Sequence, residues 1–170
     1  MRAFSNAMLI RSAVPTDIPA VLPLVTKICA LHESWDYARF SFILHPEQRY
    51  ERFLNRLITD ERSVFLVAED EEQLIGFLIA TVESEIPIYR LKEFAFIHDI
   101  WVNPEYRQKG IGRDMVTQAI EYFYQMGVEQ IRLDTAAINE PARRLFASCG
   151  FRISVIEMLK ELDGLEEESK

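Results

Sequence analysis

Residues Phe94 to Met126 read FAFIHDIWVNPEYRQKGIGRDMVTQAIEYFYQM, and the remainder of the chain is arranged around them. The opening, FAFIHDIWV, is apolar on both alternating faces, which is typical of a central strand covered on both sides. Strict alternation puts His98 on the face of Ile100 and Val102, and Asp99 on the opposite face. A basic turn, NPEYRQKGIG, then leads into the amphipathic helix RDMVTQAIEYFYQM. We therefore predict a buried strand, a basic turn and a helix in direct succession.

The basic turn has the features of an anion site. Arg107, Lys109 and Arg113 surround Gly110 and Gly112 where the helix begins. The first N–H groups of a helix lack an intrahelical partner and form the positive end of the helix dipole. Cations and backbone donors thus converge on one place, which suits a phosphate group.

Two common phosphate-binding motifs differ from this turn. A P-loop requires Lys and then Ser or Thr directly after its second Gly, whereas Ile111 follows Gly110. A Rossmann turn is closer, because Gly110 and Gly112 form a GxG and Asp134 ends the next strand at the spacing of a ribose-binding acid. Met115, however, stands where the third Gly belongs. These differences disfavour a dinucleotide-binding oxidoreductase, which we keep only as a third hypothesis.

The segment RQKGIG at 107–112, preceded by a strand ending in VNP at 102–104, resembles the acetyl-CoA signature of the GNAT superfamily of N-acetyltransferases. The opening IRSAVPTDIPAV at 10–21 and the asparagine-led segment at 139–151, which ends in Gly-Phe, are similar to other parts of this family. The resemblance covers nearly the whole chain. It implies one GNAT domain over residues 8–162, an α/β (α+β) fold with a mixed central sheet of about six to seven strands and about four flanking helices.

We predict the remaining elements from the periodicity of apolar residues and from the residues that typically end helices and strands. Besides the central strand, we expect strands at 8–13, 63–68, 74–82, 128–134 and 151–159, and helices at about 17–33, 47–59 and 139–148. The acidic stretch from Glu69 to Gln73 predicts a long hairpin loop. Residues 1–7, MRAFSNA, are typical of an expression-vector remnant, and residues 163–170 of a frayed acidic tail.

Composition limits the classes of function. The chain has 170 residues and a formal net charge of -8, which argues against a general nucleic-acid binder. Its two cysteines, Cys29 and Cys149, lie in apolar surroundings, and free thiols of a reducing compartment are the default. No signal peptide or membrane span is evident. We expect a cytoplasmic protein without a metal site or a membrane partner.

Acetyl transfer to an amine requires an uncharged amine, and therefore a base at neutral pH. His98 is our candidate, because in GNAT enzymes the position four residues before the final Val of this strand, here Val102, often carries a catalytic Glu or His. A core histidine bonded to a neighbour is an equally good interpretation. For Asp99 we expect a structural partner such as an Arg or backbone donors rather than a catalytic role, because a carboxylate in a covered strand is costly unless it is paired.

One position departs from the family pattern. The residue that protonates the leaving thiolate in GNAT enzymes is usually a Tyr of the last helix, and Phe146 stands there. Phe cannot donate a proton. The departure favours the second hypothesis, a non-catalytic module that binds or senses acyl-CoA.

The resemblance also implies how acetyl-CoA is held. Backbone groups of the strand would pair with the pantetheine arm, and the amides of the turn would hold the pyrophosphate. The last helix would contribute Asn139, whose side chain could equally cap that helix. The predicted cofactor-binding residues are Ile100, Val102, Arg107, Gln108, Lys109, Gly110, Ile111, Gly112, Arg113 and Asn139.

The acceptor is less well defined. The segment from His32 to Phe40 is expected to line its pocket, and the predicted substrate-binding residues are Glu33, Trp35, Asp36 and Tyr37. The sequences around His98-Asp99 and at 139–141 are distantly similar to diamine acetyltransferases, which favours a small polyamine-like or amino-sugar amine as the acceptor. We expect direct attack by the primary amine of a small molecule or peptide in a ternary complex. GNAT proteins are often dimers, so the resemblance also implies a homodimer.

Overall fold

A five-stranded sheet forms the centre of the computed structural model, which describes residues 8–162; the remnant predicted at 1–7 and the tail predicted at 163–170 lie outside the described residues. The strands are β1 (Leu9–Ser12), β2 (Ser63–Asp70), β3 (Gln73–Ser84), β4 (Glu93–Val102) and β5 (Ile131–Leu133), adjacent in that order. Strands β1 to β4 are antiparallel, and β5 is parallel to β4. The mixed sheet is confirmed, with fewer strands than the six to seven predicted.

Helices cover both faces of this sheet. They are α1 (Ile18–Trp35), α2 (Tyr37–Phe40), α3 (Pro46–Leu57), α4 (Ile111–Gln125) and α5 (Glu140–Ser148). One core packs α1 and α3 against a sheet face that includes Phe77 and Trp101. The other packs α4 and Phe146 of α5 against the opposite face. The predicted double covering of the central strand is confirmed. Among the described helices, none is both long and apolar enough to cross a membrane.

The hairpin between β2 and β3 is tighter than predicted. Asp70 pairs with Gln73, so the loop consists of Glu71 and Glu72 alone. Both have left-handed backbones, with φ of 49° and 67°. Two-residue turns of this hand match the twist of the flanking strands, which explains why pairing extends into the acidic stretch.

The final strand predicted at 151–159 is absent, which corrects the strand count. Phe151 packs on Phe146, but residues 152–162, which we call the C-terminal arm, are exposed and form neither helix nor strand. Apolar side chains exposed along the arm are Ile153, Val155, Ile156, Met158, Leu159 and Leu162. Strand propensity depends on a partner, and β5 pairs over Ile131–Leu133 only, so it offers a short edge.

Candidate active site

A β-bulge in β4 positions the central residues of the site. Ile79 of β3 pairs with Asp99 and Ala80 pairs with Ile97, which leaves His98 as an extra residue of β4. A bulge of this kind turns two successive side chains towards the same side of the sheet. His98 and Asp99 therefore both face α1 and α3. The prediction from strict alternation, which separated them, was wrong.

The pocket on this face has a volume of about 360 Å³. Aromatic rings form most of its wall, and two carboxylates and two imidazoles supply its polar groups. The lining residues are His32, Phe40, Phe42, Tyr50, Phe53, Phe96, His98, Asp99 and Asp134. Strands β4 and β5 both reach it, because Asp134 directly follows β5. Such a pocket suits a small molecule that carries positive charge.

His98 is held by aromatic rings and by one hydroxyl group. The rings of Phe96 and Phe53 lie edge-on to the imidazole, at centroid distances of 5.2 and 5.6 Å. Its Nε2 lies 2.6 Å from Oγ1 of Thr81, which in turn donates to Oε1 of Glu83 at 2.5 Å. Burial lowers the pKa of His98, although Glu83 acts in the opposite direction. The imidazole is therefore neutral at physiological pH and able to accept a proton.

Asp99 lies next to His98 without a compensating cation. Burial alone raises the pKa of Asp99 to about 6. Within residues 8–162, neither the Arg nor the backbone donors expected as its partner are found, and desolvation is the sole cause of the shift. A carboxylate that is desolvated and still ionised at neutral pH gains from an added cation, so Asp99 is a candidate anchor for an ammonium group.

The start of α4 presents free backbone donors. Gly110 precedes the helix with a left-handed backbone (φ 89°), and the N–H of Asp114 makes the first helical bond, 3.0 Å to the carbonyl of Gly110. The N–H groups of Ile111, Gly112 and Arg113 consequently lack an intrahelical acceptor. No side chain caps this end. The geometry fits a diphosphate group.

Gly112 has a second role. A Cβ at this position would lie 3.2 Å from Cδ2 of Leu145 and 3.8 Å from Cδ1 of Ile100. The absence of a side chain thus lets α5 pack closely on the first turn of α4 and on β4. This packing requirement could not be seen in the local sequence.

The three cations of the turn each have a partner within the chain. Arg107 donates through Nε to the carbonyl of Val102 at 2.9 Å, and its guanidinium lies 4.9 Å from the ring centre of Trp101. Lys109 lies 4.8 Å from the ring centre of Tyr106. Arg113 donates weakly, at 3.4 Å, to the last turn of α5. These contacts are exposed, so the cations remain close to the free donors and open to exchange.

Strands β4 and β5 separate beside the bulge. Their pairing ends at Ile97 and Leu133, whereas β4 continues to Val102 and pairs there only with β3 within the described sheet. The edge that contains Ile100 and Val102 is therefore open towards β5. An open strand edge binds an extended partner through its backbone groups, and this one leads from the pocket to the start of α4.

Residues of the last helix have structural roles. Oδ1 of Asn139 accepts a hydrogen bond from the N–H of Ala142 at 3.3 Å, so Asn139 caps α5. Phe146 is buried and packs edge-on against Phe151 at 5.6 Å. Its ring supplies no acidic proton.

The four predicted acceptor residues do not line the pocket. Glu33 accepts from the N–H of Phe42 at 2.8 Å, and Asp36 caps α2 by accepting from the N–H of Arg39. Trp35 packs on the His32 ring, and Tyr37 is 71% exposed. Charged residues at loop starts more often bond to nearby backbone than to ligands, which explains the difference. The more informative signal was a carboxylate within or directly after an apolar strand, which describes both Asp99 and Asp134.

Comparison with known sequences gives one family. The model of the acetyltransferase (GNAT) family matches residues 30–151. An uncharacterized N-acetyltransferase of Bacillus subtilis (strain 168), YhfO, is 30% identical over 146 residues, which make up 85% of this chain and 89% of YhfO.

Solved structures give the same fold. The tetramutant of the BH1408 protein from Bacillus halodurans has a TM-score of 0.77 and 26% identity, over 91% of this chain and 99% of that chain. The aminoglycoside antibiotic 6'-N-acetyltransferase AAC(6')-Ih from Acinetobacter baumannii is similar in fold, with a TM-score of 0.69 and 23% identity over 93% of this chain and 100% of that chain. Since the family model covers more than half of the sequence, the chain belongs to the GNAT family of acetyltransferases.

Proposed function

We propose that residues 8–162 form an N-acetyltransferase domain that transfers the acetyl group of acetyl-CoA directly to a primary amine in a ternary complex. The observation that carries this proposal is the bulge of β4, which brings His98 and Asp99 into one pocket beside the open strand edge. A base, an anionic anchor and a cofactor edge are then adjacent, as the reaction requires.

The residues present fit acetyl-CoA. The N–H groups of Ile111, Gly112 and Arg113, with the nearby side chains of Arg107 and Lys109, would hold the diphosphate. The open edge at Ile100 and Val102 would pair with the amides of the pantetheine arm. Acetyl-CoA supplies an acetyl group that is activated as a thioester.

The acceptor is a small cationic amine. Asp99 and Asp134 attract an ammonium group, and the aromatic lining, which includes Tyr50, suits a cation. A volume of about 360 Å³ fits a polyamine arm, an amino sugar or one peptide terminus. His98 takes a proton from the bound ammonium, which yields the nucleophilic amine.

The leaving thiolate receives its proton from water or from the proton removed at His98. Phe146 is buried and has no hydroxyl group, so the last helix contributes nothing to this step at that position. The same observation supports the alternative, a GNAT module that binds acyl-CoA without turnover.

One assay separates the two functions. Release of free CoA thiol is measured over a panel of polyamines, aminoglycosides and peptides with a free N-terminus. The enzyme proposal expects turnover with at least one cationic amine. His98→Ala should then lower kcat by roughly 100-fold or more, with CoA affinity by calorimetry nearly unchanged. A wild-type protein that binds CoA but acetylates no amine would establish the alternative.

We also propose that the domain works as a homodimer, with a second copy of the chain covering the C-terminal arm. Support comes from the arm's six exposed large apolar side chains, which are Ile153, Val155, Ile156, Met158, Leu159 and Leu162. A segment with many exposed apolar side chains is characteristic of an interface. Glu157 of the arm also bonds to Arg39 at 2.6 Å, next to the pocket residue Phe40.

A further inference from the structure

We infer that Thr81 and Glu83 are positioning residues that fix the tautomer of His98 and conduct its proton to solvent. The inference rests on the proposed function, because it assigns a supporting pair to the base of that reaction. Neither residue was singled out by the sequence, in which they occupy ordinary positions of a strand.

The three side chains form a short hydrogen-bonded series. Nε2 of His98 lies 2.6 Å from Oγ1 of Thr81, and that oxygen lies 2.5 Å from Oε1 of Glu83. Nε2 itself is 3.5 Å from Oε1. The series ends at the surface, since Thr81 is 7% exposed as a residue, whereas the side chains of His98 and Glu83 are 26% and 45% exposed. The series therefore leads from the pocket wall to the surface.

The bulge makes this arrangement possible. Thr81 and Glu83 are two residues apart on β3, so both face the pocket side of the sheet. The direct strand partner of Thr81 is Phe96, with His98 two residues further along β4. The extra residue shifts His98 out of the ladder, and its ring reaches the threonine hydroxyl rather than a backbone group.

The chemistry of the three groups decides which nitrogen carries the proton. An ionised carboxylate only accepts hydrogen bonds, so the hydroxyl proton of Thr81 points to Glu83. The oxygen of Thr81 must then accept from His98, which requires hydrogen on Nε2. Neutral imidazole has one N–H, and Nδ1 is consequently the unprotonated nitrogen that accepts the proton of the bound ammonium.

Every proton in this transfer is accounted for without a further reactant. One proton leaves the ammonium nitrogen and joins Nδ1, giving an imidazolium. The Nε2 proton then passes to Oγ1 of Thr81 as the hydroxyl proton passes to Glu83. The carboxylic acid of Glu83 releases that proton to water, which leaves His98 neutral with hydrogen on Nδ1. The starting tautomer returns when Nδ1 gives its proton to the leaving thiolate and Nε2 takes one back from Glu83 through Thr81.

Other titratable groups surround His98 on the packed elements. His32 comes from α1, Asp99 from β4 and Asp134 from the end of β5, while α3 contributes only the uncharged Tyr50 and Phe53. Burial lowers the pKa of His32 as well as that of His98. Glu83 is the only one of the acids that shares a hydrogen-bonded series with the imidazole, so its removal should lower the pKa of His98 further.

The test uses matched variants. Thr81→Val removes the hydroxyl and keeps the shape, whereas Thr81→Ser keeps the hydroxyl. Thr81→Val should reduce kcat by about 10- to 100-fold with little change in the KM of the amine, and Thr81→Ser should restore most of it. Nitrogen-15 NMR of the imidazoles, assigned with His98→Gln, should show hydrogen on Nε2 in the wild-type protein and in Thr81→Ser, and a mixture of tautomers in Thr81→Val.

Glu83→Gln provides the second measurement. It should lower the pKa of His98 in the same NMR titration, while CoA affinity and thermal unfolding stay close to those of the wild-type protein. An unchanged tautomer in Thr81→Val together with an unchanged pKa in Glu83→Gln would overturn the inference. If His98→Ala alone abolished turnover in that case, the proposed function would stand without the positioning pair.

Discussion

At the scale of single residues, the pocket gains its charge from a carboxylate that the fold does not neutralise. Asp99 was read in the sequence as a partnered structural residue, because an unpaired charge in a covered strand is costly. The structure shows the charge without a compensating cation, and burial raises the pKa of Asp99 to about 6. Sequence patterns assume regular alternation, so they cannot show that Asp99 faces the pocket together with His98.

Asp99→Asn tests both the attraction of Asp99 for a cationic amine and its raised pKa. As the pH falls through about 6 the carboxylate becomes protonated and loses its attraction for an ammonium group, so the wild-type kcat/KM for a cationic amine should fall there. In Asp99→Asn, kcat/KM should be at least about 10-fold lower at pH 8, and only the fall caused by protonation of His98 should remain at acidic pH. An identical pH profile in both proteins would contradict the role.

The same variant should affect stability. A carboxyl group whose folded pKa is raised binds a proton more readily in the folded state, so the free energy of unfolding falls as pH rises between about 4 and 6. Above that range, Asp99→Asn should be more stable than the wild-type protein by up to about 3 kcal/mol. Urea unfolding at pH 8 and pH 4 measures the difference, which should vanish at pH 4. Glu51→Gln, at an exposed position of α3, is the control and should show neither effect.

At the scale of elements, the first turn of α4 was predicted well and its surroundings were not. The glycines and cations of the turn are local sequence signals from which the start of a helix was predicted. Gly110 does directly precede α4. The contact of Gly112 with Leu145 joins positions far apart in the chain, and only the packed structure shows it. The wrong prediction of a final strand also depends on contacts between distant positions. A sequence rich in β-formers does not show whether a neighbouring strand is long enough to pair with it.

A pair of glycines at opposite ends of α4 provides a test of the proposed cofactor site. Gly110 and Gly127 have similar left-handed backbones, with φ of 89° and 82°, and neither position is crowded. Alanine at either position should destabilise the fold by about 1 kcal/mol, because a Cβ disfavours this conformation. Only Gly110→Ala should also weaken CoA binding, as it displaces the free donors of the helix start. Calorimetry that finds equal CoA affinity in the two variants would exclude this turn as the diphosphate site.

At the scale of the whole molecule, the predicted order of elements from β1 to α5 is confirmed except for the short helix α2, which was not predicted. Long periodic segments are the strongest signal in a sequence, and α2 has only four residues. What the sequence could not provide is how β4 and β5 separate beside the bulge, which depends on pairing between distant strands. The exposed C-terminal arm also concerns the whole molecule, because we propose that a second copy of the chain covers it.

The proposed homodimer predicts association that depends on the arm. Wild-type protein should have the mass of a dimer in light scattering at micromolar concentrations, because a partner would cover the arm's apolar side chains. Ile156→Glu combined with Met158→Glu should give a monomer. Ile88→Glu, at an exposed apolar position outside the arm, should leave the mass unchanged. A monomeric wild-type protein across this range would refute the dimer.

The bulge has one consequence for how such a pocket can arise or be lost. If His98 were deleted, Ile97 would remain opposite Ala80 and Asp99 opposite Ile79, the partners that they already have. The sheet would close into an uninterrupted ladder, and the proposed base would be lost. If His98 has the proposed role, deletion of a single codon would convert an active domain into an inactive relative with the same architecture.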